Sequence, residues 1–241
     1  MRPVQENHVI MKKLYLLLLS SLVLNSVTIA QSQDVYFTSN PALTPDGKTV
    51  IFAYEGDLWK ANIKDGEAAR LTAMQGYETS PRVSPDGKWI AFTGRQYGNA
   101  DIFVMPVNGG EIKQITYSSA NDEVSSWSWD SKSIYFSSNR MGQLSGFKVN
   151  KDGGTPQRVF GDYFFLYDHN LVEHPTSGEI FFNDTLESSN QVQRKHYKGP
   201  FNPDIQSYNP KTKKYKRYTD WIGKDFGATI DKSGDIYFIS D

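Results

Sequence analysis

Ser84-Pro85-Asp86-Gly87-Lys88, followed by Ile90-Ala91-Phe92, reads as a tight turn leading into a strand, and the chain writes that pair five times. Proline presets φ for the first turn position, aspartate bonds its own backbone, and glycine accepts positive φ at no steric cost. The other turns are Thr44-Pro45-Asp46-Gly47-Lys48, Ser128-Trp129-Asp130-Ser131-Lys132, Pro175-Thr176-Ser177-Gly178-Glu179 and Asp231-Lys232-Ser233-Gly234-Asp235. Behind them stand Val50-Ile51-Phe52, Ile134-Tyr135-Phe136, Ile180-Phe181-Phe182 and Ile236-Tyr237-Phe238. The first residues of the runs step by 40, 44, 46 and 56. A period of about 40–45 residues with several strands per unit is the signature of β-propeller blades.

The second unit shows how a blade is built. Lys88–Thr93 forms one strand and Asp101–Val107 the next, and Asn108-Gly109-Gly110 turns the chain into Ile112–Thr116, so with the strand before the turn each unit has four antiparallel strands. The expected fold is all-β: four complete blades near residues 41–80, 81–124, 125–167 and 168–224, the start of a fifth at 225–241, and helix confined to the leader. Four and a half blades leave strand edges uncovered, so the chain is expected to continue past Asp241 into a ring of six, and by itself to associate with copies of itself.

Residues 1–30 read as an export signal. Lys12 and Lys13 precede the apolar stretch Leu14–Leu24, and Thr28-Ile29-Ala30 offers small residues for cleavage. The stretch is shorter than the about 20 apolar residues that span a bilayer, so no membrane span is expected once it is removed, and the protein is expected in the periplasm or secreted. With no cysteine in the chain, neither disulfides nor lipidation on cysteine are available. Beyond residue 30 there are 23 Lys+Arg against 26 Asp+Glu, a balance without the electrostatic footprint of a nucleic-acid binder.

Catalytic motifs are missing: there is no G-x-S-x-G elbow, H-E-x-x-H helix, P-loop or G-x-G-x-x-G. No nucleophile–base pair, metal site or cofactor site is assigned. His169 and His174 match no zinc spacing and read as structural. Asp46, Asp86 and Asp130 read as turn acceptors, not a ring of functional carboxylates. One departure stands out: 21 residues separate Phe182 from Asp204, where four separate Phe52 from Asp57. This insertion carries Arg194-Lys195-His196 beside Tyr197, a cluster of donors suited to a peptide carboxylate or a neighbouring domain.

Glu78 through Lys88, Ile102 through Glu111 and Ile115-Thr116-Tyr117 resemble the propeller repeats shared by TolB and tricorn-type proteases. A blade directly after the leader, the Ile115-Thr116-Tyr117 ending, and Arg194-Lys195-His196 before Asp204-Ile205 are similar to the N-terminal propeller of bacterial tricorn-type serine peptidases. That resemblance implies a propeller that filters or channels unfolded peptides to a catalytic domain further along the same chain. Trp129 and Ser131 depart from the turn pattern, as does Thr176-Ser177. The same repeats fit two alternatives, a non-catalytic TolB-like binding propeller and the propeller cap of a prolyl-oligopeptidase-like enzyme or amidohydrolase.

Overall fold

The computed structural model describes residues 34–36, 38–160, 167–189 and 193–241. The leader thus lies outside the described residues. The chain divides into two units, Met1–Tyr36 and Phe37–Asp241, and every sheet described belongs to the second.

Each sheet is an antiparallel meander in sequence order. Blade one holds β1 (Ser39–Leu43), β2 (Thr49–Tyr54), β3 (Asp57–Asn62) and β4 (Ala68–Arg70). Blade two holds β5 (Glu78–Val83), β6 (Trp89–Gly94), β7 (Asp101–Pro106) and β8 (Lys113–Gln114). Blade three holds β9 (Asp122–Trp127), β10 (Ser133–Ser138), β11 (Ser145–Asn150) and β12 (Gln157–Arg158). Blade four holds β13 (His169–Glu173), β14 (Ile180–Asn183), β15 (Gln206–Asn209) and β16 (Lys214–Arg217), and a fifth sheet pairs β17 (Asp225–Ile230) with β18 (Ile236–Ser240). One expectation is corrected: a single helical turn, α1 (Leu186–Ser189), lies within the blade-four insertion.

The turns use their residues as the sequence implies. Ser84 Oγ donates to Asp86 Oδ1 at 2.6 Å, the Lys88 amide donates to the same oxygen at 3.1 Å, and Gly87 takes φ +71°. In blade three the Ser128 hydroxyl makes the same bond and holds the Asp130 carboxyl below its usual range. Its two departures from the pattern tie blades together. Ser131, at φ +59°, accepts the Asp86 amide of blade two at 3.0 Å, while the Trp129 amide donates to Glu173 Oε2 of blade four at 3.0 Å.

The core is a row of clusters between blades rather than one centre. Side chains alternate faces along a strand, so Ile134 and Phe136 pack on Ala91, Ile102 and Val104 of blade two, whereas Tyr135 packs on Leu171, Ile180 and Phe182 of blade four. Both faces of each middle strand are therefore buried, which is why its sequence is a continuous apolar run. The fifth sheet differs, with Tyr237, Phe238 and Ile239 all exposed.

Blade three has its own solution at one interface. A Cβ on Gly146 would lie 2.5 Å from Leu171 Cδ2 and 2.8 Å from Phe160 Cε2. Gly146→Ala is accordingly expected to cost about 1–3 kcal/mol by overpacking, read as a fall in the urea midpoint at unchanged slope. A change below the error of that measurement would show that Leu171 swings aside freely.

Candidate functional site

β1, β5, β9, β13 and β17 are the first strands of their sheets, and together they line an axial cavity of about 550 Å³. Four of them share a bulge. Asn40-Pro41, Ser80-Pro81, Asn170-Leu171 and Gly227-Ala228 each insert between regular pairs, and Asn40, Ser80, Asn170 and Gly227 all take positive φ, between 50° and 70°. β9 bulges between Val124 and Ser126. An extra residue is left unpaired and bends its strand, a device that re-aims backbone and side chains near functional sites.

A polar knot recurs within blades one, two and four. Thr72, Thr116 and Thr219 accept the amides of Leu58, Ile102 and Ile205 at 2.8, 3.0 and 2.9 Å. Thr116 and Thr219 also donate to Asp101 and Asp204, 15 residues upstream of each. Arg70 pairs with Asp57 at 2.6 Å, and Arg217 with Asp204. A buried acid then opens the next blade: Glu78, Asp122, Asp168 and Asp225 are each no more than 2% exposed. Burial pushes the Glu78 carboxyl up to about 7, against the Thr72 hydroxyl that favours its charge and with Asp57 nearby opposing it. Burial, reinforced by Asp184, does the same to Asp168. The signal for these acids was present in the chain, in phase with the turns, but an acid next to a strand reads as surface until its neighbour blade is in place.

The blade-four insertion folds over this end. Asp184, Thr185, Glu187, Phe201, Asn202 and Arg217 are among the residues lining a cavity of about 780 Å³ there. Glu187, on α1, is buried, with Arg194 on its Oε1 at 2.8 Å and Lys224 3.7 Å from its Oε2. Of the three predicted site residues, Arg194 thus faces Glu187 and stacks at 4.1 Å over Tyr197. His196 is turned to Asp241, its amide 2.6 Å and its Nδ1 3.3 Å from that carboxylate. Lys195 is exposed between them.

A serine–histidine contact that the sequence did not reveal lies beneath. Ser188 Oγ is 3.0 Å from His169 Nε2, and His169 Nδ1 is 2.6 Å from the Tyr167 carbonyl. With Nδ1–H donating to that carbonyl, Nε2 is left to accept from Ser188. Both side chains are buried and neither lines the adjacent cavity, and burial lowers the His169 pKa. The geometry satisfies buried polar groups; it offers no approach for a substrate. His174 instead accepts the amides of Thr176 and Ser177, both at 3.2 Å, in the turn that lacks the aspartate. Among the described residues no group of three or more His, Cys, Asp or Glu is placed to hold a metal, and no helix is long and apolar enough to cross a membrane.

Four-stranded meanders packed face to face, with their first strands around an axial cavity, define a β-propeller. Residues 34–241 match the family profile of the Tricorn protease N-terminal beta propeller domain, and the chain belongs to that family. It is 32% identical over 142 residues to a putative Tricorn-like protease N-terminal subunit of Sulfurisphaera tokodaii, covering 55% of this chain and 72% of that protein. Tricorn protease homolog 1 of Streptomyces coelicolor is 35% identical over 102 residues, 42% of this chain and 9% of that protein. Among solved structures, a putative TolB from Agrobacterium tumefaciens superposes with a TM-score of 0.71 at 20% identity, over 85% of this chain and 70% of that one. The tricorn protease superposes with a TM-score of 0.70 at 22% identity, over 86% of this chain and 20% of that one. These two likenesses speak to the fold.

Proposed function

We propose that the chain is the substrate-access propeller of an exported tricorn-type serine peptidase, filtering or channelling peptides to a catalytic domain outside these 241 residues. What supports this is the family match over residues 34–241 together with a cavity lined by the first strands of all five sheets. The basic-then-apolar leader supports export to the periplasm. Its partners on this reading are peptides or unfolded polypeptide, the downstream domains of the same protein, and copies of itself.

Alone, the chain is expected to hydrolyse no peptide. Turnover that is abolished by Ser188→Ala would overturn this and make the buried Ser188–His169 pair an active site. In the assembled peptidase, Arg194→Ala combined with Lys195→Ala is expected to lower peptide turnover about tenfold, an effect of ~1.4 kcal/mol. The melting temperature should fall only modestly, because Lys224 stays 3.7 Å from the buried Glu187 carboxylate when its exposed partner Arg194 is removed. Unchanged turnover would identify the insertion as a solvated loop.

A further inference from the structure

Blade four ends in two loops that meet, the insertion between β14 and β15 and the link from β16 to β17. Asn202 Nδ2 donates to the Trp221 carbonyl at 2.8 Å, and the Asp225 amide donates to the Pro203 carbonyl at 2.9 Å. The Trp221 indole donates to the Asp241 carbonyl at 2.9 Å, and the His196 amide is tied to the same residue. On this braced base three bulky apolar side chains stand in solvent: Phe201 is 62% exposed, Trp221 55% and Ile222 55%. Lys195 and Lys198 are exposed on the first of the two loops, and among the described residues neither meets an acid.

The charge of this region departs from that of the chain. Residues 193–217 carry eight Lys and Arg against one acid, Asp204, in a protein of formal net charge −1. Asp204 is buried against Arg217 and does not offset the lysines at the surface, and Asp220 is the exposed acid of the link. The two ends of the propeller also differ. Connections from second to third strands, and links between blades, share the insertion's end, where Tyr97 and Tyr117 are exposed as well. The opposite end holds the Asp-containing turns, with Asp46, Lys48, Asp86, Lys88, Asp130 and Lys132 exposed in alternating sign. Trp and Tyr suit a boundary that is apolar on one side and wet on the other, which is why they gather at membrane interfaces. The lysines decide between a lipid and a protein surface. Lysine is depleted from protein interfaces, whereas at a bilayer its stem lies along the apolar layer and its ammonium meets anionic headgroups.

We propose that this end of blade four is a peripheral membrane contact: Phe201, Trp221 and Ile222 enter the interface of a bilayer, and Lys195 and Lys198 pair with its anionic headgroups. The contact turns the insertion's end of the propeller toward the lipid and leaves the Asp-containing turns in water. It goes beyond the peptidase reading and does not depend on it.

The test uses the full-length protein lacking residues 1–30, floated on a density gradient with vesicles of phosphatidylcholine alone or mixed equally with phosphatidylglycerol. Partition into the anionic vesicles is expected to exceed that into the zwitterionic ones by about tenfold or more, and to fall at high salt. Tryptophan fluorescence should shift to the blue on binding, and Trp221→Phe should remove most of that shift. Ile222→Ser combined with Lys198→Ala is expected to weaken partition about tenfold with the circular dichroism spectrum unchanged; should that variant not fold, the Trp221 fluorescence decides the matter. Equal partition into both kinds of vesicle would overturn the role of the lysines. Binding without a Trp221 shift would overturn the placement of the contact on blade four. No partition into either vesicle would overturn the inference outright and leave a protein as the partner of the apolar tips. Peptide turnover measured without lipid tests the peptidase reading separately.

Discussion

Phe160→Ala is expected to lower the unfolding free energy by about 3–5 kcal/mol, the usual cost of deleting a fully buried aromatic side chain. Phe160 follows the last strand of blade three, at the place where blades one, two and four carry Thr72, Thr116 and Thr219. It is wholly buried, 4.5 Å from the Phe182 ring and 5.5 Å from Tyr208, both in blade four. In this blade an apolar plug replaces the threonine–aspartate knot, and Gly146 leaves the room for it. Because Tyr215 lies 6.3 Å away in the same cluster, the loss should be felt across the seam between blades three and four. Urea unfolding checks it. A cost below about 1 kcal/mol would mean that the cluster collapses into the cavity without penalty, contrary to close packing.

The second large effect is on pH. Burial raises the Asp168 carboxyl to about 7, whereas an unfolded aspartate titrates near 4. The folded chain therefore keeps a proton that the unfolded chain has lost, and the contribution of this group to stability is fully present below about pH 4 and is lost as pH rises through 7. Above that, the gap is worth on the order of 4 kcal/mol. Glu78 acts in the same direction. His169 acts oppositely, since a buried neutral imidazole disfavours the folded state once the unfolded chain protonates. The variant separates the contributions: Asp168→Asn is expected to be more stable than the wild type at pH 8 by about 1–3 kcal/mol, part of the gain being offset by a buried amide without partners. At pH 4 the advantage should vanish. A wild type and variant with parallel pH profiles would show that Asp168 is ionised and stabilised in the fold.

The blades were legible because their signal is local and repeated. Pro-Asp-Gly turns and runs such as Ile90-Ala91-Phe92 carry their own geometry, and the short β8 and β12 are placed by the strands they pair with. What could not be read depends on residues from different blades meeting. The helical turn at Leu186–Ser189 is too short to show a helical period. Ser188 and His169 lie 19 residues apart and share no motif. The acids Glu78, Asp122, Asp168 and Asp225 read as ordinary surface residues beside a strand, yet each is no more than 2% exposed in the fold. Trp129 and Ser131 depart from the turn pattern, and they are where blade three docks to both neighbours.

Photo-crosslinking from the axial cavity tests the central claim most directly. Thr229 lines that cavity and is exposed, whereas Lys64 is exposed on the turn before the last strand of blade one. With p-benzoylphenylalanine at one or the other position in the active peptidase, and a labelled peptide substrate turning over, peptide is predicted to crosslink at residue 229 and not at residue 64. Crosslinking confined to residue 64, or none at residue 229 while turnover continues, would contradict a peptide path through the propeller.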